Sequence, residues 1–202
     1  MNMGCSNSTP VINRFTYELK SFVNPAAGSY AEELSLWLTF SDKDGIDDIE
    51  EIVLTMVDEE LEWRFTEFEW VKNVLGSYEH VGHVKIVGPE SDFFPKGKYR
   101  VDISDKALNI DSRVFPISDS DIDFQSLVPT IESDGDNNWT LNSILTDVYI
   151  YALEGDSKII GLTRLSSGKI SLDESLYQIH PIYLFARYRE RSLMSGPYFI
   201  SY

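Results

Sequence analysis

The densest concentration of side chains that could do chemistry is the run Asp42-Lys43-Asp44-Gly45-Ile46-Asp47-Asp48-Ile49-Glu50. Carboxylate oxygens are hard donors, and several of them alternating around a glycine turn suit Ca²⁺, which takes six to eight oxygens at about 2.3–2.6 Å. A twelve-residue calcium loop also needs an acid at its fifth position and a bidentate Glu at its twelfth. Counted from Asp42, those positions hold Ile46 and Val53, so that pattern fails. Asp42, Asp44, Asp47 and Asp48 remain a looser Ca²⁺ candidate, set against a solvated turn between strands, which is the preferred reading. Asp134-Gly135-Asp136-Asn137-Asn138 is read the same way, as turn chemistry first and a weak cation site second.

Transition-metal chemistry has one candidate, His80-Val81-Gly82-His83 beside Glu79. Two imidazoles three residues apart meet on a helix, but Gly82 and the apolar stretch that follows argue against a helix there. His180, ahead of Pro181, reads as a packing or surface residue. Nucleophilic hydrolysis wants a Ser or Cys on a strained turn with a base and an acid as partners. The chain carries no G-x-S-x-G elbow and no glycine-rich phosphate loop. Among 33 acidic residues a pair at glycosidase separation arises by chance and identifies nothing. The sequence therefore reads as non-catalytic, with no cofactor implied beyond the weak Ca²⁺ candidate.

Composition narrows the partners. Against 17 basic residues the acidic ones leave a formal charge of -16, which repels nucleic acid. A single cysteine allows neither an intramolecular disulfide nor a thiolate metal cage, so burial has to hold the fold. No apolar run approaches the roughly 20 residues of a membrane-spanning helix.

That cysteine sits in Met1-Asn2-Met3-Gly4-Cys5-Ser6-Asn7-Ser8-Thr9. Gly4-Cys5 followed by Ser and Asn resembles the lipidation junction of bacterial lipoproteins, in which the cysteine takes the lipid and a polar tether follows. The apolar segment that precedes such a junction is not among these residues. The resemblance implies lipidation at Cys5 and residues 1–10 as leader and tether. Two alternatives stay open. Starting at Met3, the chain fits the M-G-x-x-x-[ST] myristoylation pattern, and the segment also reads as an untethered end with an incidental thiol.

The elements that must position these groups read as strands. Leu34, Leu36, Leu38 and Phe40 alternate with Ser35, Trp37 and Thr39, and the polar stretch Ser41 to Asp48 closes that strand. Ile52, Leu54 and Met56 lead through Asp58-Glu59-Glu60 into Leu61, Trp63 and Phe65, a predicted hairpin. Phe68 and Trp70 fall out of register, predicting a bulge or break near Thr66-Glu67. Residues 73–80 are poorly patterned and a short strand is expected over 84–87. Tyr99, Val101 and Ile103 share a face after the Pro95/Gly97 turn, and 113–117 closes the first half. In the second half, 148–153 and 159–163 read as a hairpin. Residues 182–188 and 197–202 read as a final pair joined by a turn containing Gly196.

The Asp42 to Asp48 turn and the segment from Pro95 to Asp105, with its tyrosine near a strand's start, resemble bacterial immunoglobulin-like and fibronectin-III-like domains. The resemblance implies an all-β chain of two tandem immunoglobulin-like β-sandwiches, 11–117 and 118–202. With the Gly4-Cys5 leader and the missing catalytic constellation, the all-β pattern leads to the expectation of a cell-envelope lipoprotein, lipid-anchored at the outer-membrane surface or periplasmic face, reaching the membrane through Cys5 and binding a protein or glycan. A carbohydrate-active protein is the alternative. Trp37, opposite the leucine face, is the weak candidate for ligand contact, against the preferred reading of an interdomain contact or second-layer packing.

Overall fold

The computed structural model describes residues 8–75, 78–89, 92–118, 122–133, 139–154, 158–172, 180–189 and 191–199. In chain order the strands are β1 (Val11–Asn24), β2 (Ser29–Ser41), β3 (Ile49–Met56), β4 (Leu61–Thr66), β5 (Val71–Leu75), β6 (Tyr78–Val87), β7 (Gly97–Asp105), β8 (Ile110–Ile117), β9 (Thr130–Ser133), β10 (Trp139–Asn142), β11 (Val148–Glu154), β12 (Lys158–Leu165), β13 (Gly168–Ile170), β14 (Ile182–Tyr188) and β15 (Arg191–Tyr198). The chain is all-β in several sheets. Among the described residues the helical pieces are a 3-10 turn at Ile46–Asp48 and α1 (Phe124–Leu127), capped by the Asp123 carboxylate accepting from the Ser126 N–H.

The chain forms two compact units. The first takes Met1–Tyr17, Leu34–Val87 and Pro95–Ser120, and the second takes Glu18–Glu33, Gly88–Phe94 and Asp121–Tyr202. Strands β1 and β2 each pass from one unit into the other. The burial of β1 alternates poorly for that reason, because its side chains serve one core and then another.

In the first unit one sheet runs β4-β3-β7-β8, and the other places β1, β2, β6 and β5 side by side. Alternation drives the assembly. Leu34, Leu36, Leu38 and Phe40 of β2, Ile52, Leu54 and Met56 of β3, and Tyr99, Val101 and Ile103 of β7 are each at most 4% exposed. Each such side chain contributes about 1.5–3 kcal/mol relative to leaving it in water. Leu36, Leu38 and Val81 from one sheet line a small cavity together with Ile52 and Phe65 from the other. Tyr99 is fully buried, its hydroxyl donates to the Pro95 carbonyl at 2.8 Å, and burial raises its pKa.

At one edge a side-chain pair takes the place of a strand neighbour. The Ile12 N–H donates to Asp111 Oδ2 at 2.7 Å, and Arg113 donates both to the Ile12 carbonyl and to Asp111 Oδ1. Burial pushes the Asp111 carboxyl up, but the N–H groups of Ile12 and Ser112 and the Arg113 guanidinium outweigh it, and the net shift is downward.

The expected break near Thr66-Glu67 is present, and two expectations for the residues after it need correcting. The break near Thr66-Glu67 is a turn that carries the chain from one sheet to the other, held by the Glu69 carboxylate accepting from the Thr66 N–H and hydroxyl. The poorly patterned stretch after it is a hairpin, with β5 pairing β6 antiparallel from Val71↔Gly82 to Leu75↔Tyr78. β5 is an edge strand, where half-exposed residues such as Val71 weaken the alternation. Consequently β6 starts at Tyr78 rather than at residue 84.

In the second unit β12-β11-β14-β15-β1-β2 lie in order, with β1 running parallel to β15 from Leu19↔Arg191 to Val23↔Ser195. A three-stranded sheet, β13-β10-β9, supplies Ile131, Trp139 and Leu141 to a core shared with Val148, Ile150, Ala152, Ile182, Leu184 and Ala186. The opposite face of β11 and β14 carries a stacked Tyr151–Tyr183 pair at 5.5 Å and a Tyr149–Phe185 pair at 6.4 Å. Burial pushes the Tyr151 hydroxyl up to about 12.

The final hairpin also differs from expectation. Its turn is at Arg189, which has a positive φ, and Gly196 and Pro197 lie inside β15 at a register shift opposite Ile182–Leu184. A Cβ on Gly196, at φ 137, would approach the Ile182 carbonyl oxygen to 2.7 Å, so glycine is there for a bulge and not for a turn.

Candidate functional site

The acidic turn joins β2 to β3, and the first residue of β3 pairs with the last residue of β7, Ile49 with Asp105. That register carries the Asp105 carboxylate to the turn. One oxygen each from Asp42, Asp48 and Asp105 lie within 4.8 Å of one another. Asp105 is fully buried and closes the β7–β8 turn, with Oδ1 accepting from the N–H groups of Ala107 (2.9 Å) and Asn109 (2.8 Å) and Oδ2 from Asn109 Nδ2 (2.7 Å).

Asp42 is held on one side only. Its Oδ1 accepts from the Ser8 hydroxyl at 2.7 Å and the Asp44 N–H at 2.9 Å, whereas Oδ2 is buried and receives no hydrogen bond. Burial and the neighbouring carboxylates of Asp105, Asp44 and Asp42 raise the Asp48 pKa, opposed by the Lys106 ammonium. Lys106 Nζ itself donates to the Asp47 carbonyl at 2.7 Å.

Of the four candidate ligands the structure brings Asp42 and Asp48 together and adds Asp105. Asp44 instead receives the N–H and hydroxyl of Ser8. Asp47 pairs with Lys72 at 3.3 Å on a side chain that is 91% exposed. Asp105 was missed because it lies 57 positions from Asp48 in the chain; the signal was its place as the last residue of the alternating segment after Pro95. The donor set is all oxygen, which fits a hard divalent cation and not a thiolate-seeking metal. Much of Asp105's acceptor capacity is already used by the turn it closes.

The histidines do not converge. On strand β6, residues three apart point to opposite faces. Thr39 Oγ1 lies 2.9 Å from His80 Nδ1, while His83 packs on Phe65 at 4.6 Å and its Nδ1 accepts from the Lys85 N–H. Burial lowers the His83 pKa, against a smaller opposing effect of Glu69.

Trp37 does lie on the face opposite Leu36 and Leu38, where it is half-buried. A Cβ on Gly82 of β6 would come within 2.7 Å of its indole and 2.3 Å of the Leu36 carbonyl oxygen, so the ring covers a glycine backbone on a nearby strand. Trp63 donates through Nε1 to the Val87 carbonyl at 2.9 Å, and Trp70 is buried with its indole N–H unpartnered. Cys5 and the turn at Asp134 to Asn138 lie outside the described residues. No protein-family model matches this chain, and no curated protein matches it in sequence.

Proposed function

We propose that the chain is a non-catalytic cell-envelope lipoprotein built from immunoglobulin-like sandwiches, a binding or structural module for a protein or glycan partner. The observation that carries the immunoglobulin-like part is the strand order of the first unit. Numbering its strands in sequence, 1-2-6-5 lie against 4-3-7-8, which matches the ABED and C′CFG sheets of an immunoglobulin-like domain. The Tyr99 hydroxyl on the Pro95 carbonyl, at the start of the strand equivalent to F, supports the same reading as a tyrosine corner. The envelope part rests on Gly4-Cys5 and the Ser/Asn-rich residues after it.

Protease shaving of intact bacteria expressing the native protein, with lipid labelling and a Cys5→Ala variant, tests the anchor. Labelled and shaved protein that the variant releases into the medium supports a surface lipoprotein; labelled but protected protein places it on the periplasmic face. Absence of label on the native protein removes the lipoprotein reading.

The carbohydrate-active reading finds its best support in the Tyr149–Phe185 and Tyr151–Tyr183 pairs, which share a sheet face away from the apolar core. Aromatic faces of this kind serve sugars and proteins alike. A glycan array distinguishes the two, since a glycan ligand lost in Tyr149→Ala favours the sugar and an array without binding favours a protein partner. A cation at Asp42, Asp48 and Asp105 is secondary to either reading, and the unpartnered Asp42 Oδ2 is what favours it.

A further inference from the structure

The second unit buries a charged pair. Glu32 of β2 is 3% exposed and Arg191 of β15 is 7% exposed, and the guanidinium donates to Glu32 Oε1 and, at 3.0 Å, to the Ser21 hydroxyl oxygen of β1. The Tyr30 hydroxyl donates to Glu32 Oε1 at 2.9 Å. Glu32 also reaches a third stretch of chain. Its N–H donates to the Asp92 carbonyl at 2.9 Å, and its Oε2 accepts from the Phe94 N–H at 3.2 Å. The Arg191 guanidinium lies over the Phe124 ring of α1, 3.7 Å from its centroid.

The second unit is made of three separate stretches, Glu18–Glu33, Gly88–Phe94 and Asp121–Tyr202, and all three meet at this node. We infer that the Glu32–Arg191 pair is a latch that commits residues 18–33 and 88–94 to the second unit. At the β1–β15 seam the buried leucines Leu19 and Leu193 alternate with buried Ser21, Ser192 and Ser195, so apolar contact shares the seam with polar groups that need specific partners. A slip of β1 by two residues along β15 would keep the same faces inward, yet move Ser21 about 6.6 Å along the strand from the guanidinium. A slip that carries β2 along with β1 also parts Glu32 from Arg191 and strands two charges away from water, which makes the pair a strict test of register. The latch is independent of the envelope reading.

Hydrogen exchange of the native full-length chain, read by peptide, tests it with Arg191→Met and with the double variant Glu32→Leu/Arg191→Met. Under the latch, Arg191→Met accelerates exchange in residues 18–33 and 92–94 by at least about tenfold while Tyr99 to Ile103 change by less than about twofold. The double variant removes the lone buried charge and is expected to leave 18–33 at least about tenfold faster than in the native chain. Uniform acceleration across both units, or full recovery of protection in the double variant, overturns the latch. If Arg191→Met does not fold, the double variant alone decides between these outcomes.

Discussion

In the first unit Leu34, Leu36, Leu38 and Phe40 share one buried face, and Asp111 and Arg113 bind Ile12 at an edge. The buried polar residues Ser35, Thr55, Ser104 and Asp105 lie among the apolar ones there, without a buried arginine beside them among the described residues. In the second unit a regular apolar core between β10, β11 and β14 coexists with a buried arginine, a buried glutamate and three buried serines along β1, β2 and β15. The difference follows from chain connectivity. The first unit's paired strands are mostly neighbours in sequence, so short connections bring apolar faces together. Part of the second is assembled from distant stretches, and there directional hydrogen bonds carry information that apolar contact does not.

The comparison breaks most readily at the cores. Leu54→Ala, at a fully buried position, is expected to cost about 2–5 kcal/mol, measured by urea unfolding. Exchange should accelerate first in β3 and β7; an equal response in β11 and β14 would mean that the units do not unfold separately. Gly196→Ala probes the other unit. Its positive φ and the 2.7 Å approach to the Ile182 carbonyl oxygen predict a loss of about 1–3 kcal/mol with faster exchange in β14 and β15. Tyr99→Phe removes the hydroxyl bond to Pro95 and should cost about 0.5–1.5 kcal/mol, read as a lower denaturation midpoint with an unchanged slope.

The smallest effects are electrostatic and have opposite signs. The Asp111 pKa is lowered on folding, so its contribution is present above the ordinary carboxylate value of 3.8 and is lost as pH falls through the folded value. Asp111→Asn should therefore reduce stability at neutral pH and flatten the acid side of the stability profile. The Asp48 pKa is raised, so its ionised form disfavours the fold, and the penalty is relieved as pH falls through the folded value. Asp48→Asn is expected to raise the melting midpoint slightly in chelator. Added Ca²⁺ should raise the midpoint of the native chain and not of this variant; equal midpoints with and without Ca²⁺ in the native chain leave the cluster as a turn.

The strands that could be read beforehand are those with one consistently buried face. Leu34 to Phe40 and Tyr99 to Ile103 have the period-two pattern because each turns its apolar side chains to a single core, whereas Ile52 to Met56 is buried on both faces and was legible from its apolar Ile52, Leu54 and Met56. β1 was not legible, since it serves two units, and the four-residue strands β9 and β10 are too short to show a period. Gly196-Pro197 was misread because glycine and proline mark turns more often than bulges, and local chemistry alone cannot tell the two apart.

Composition and alternation by themselves determined the all-β class, the predicted hairpins around 58–60 and 154–158, and a strongly acidic chain. They also located the turn from Asp42 to Asp48. Only the tertiary structure decided that Asp105 joins Asp42 and Asp48, that Trp37 covers Gly82, and that Glu32 meets Arg191 across 159 positions of chain. The physical reason is the same in each case. Periodicity encodes which face of a strand is buried, while the partner that buries it is set by strand register and sheet order, which are properties of the assembled chain.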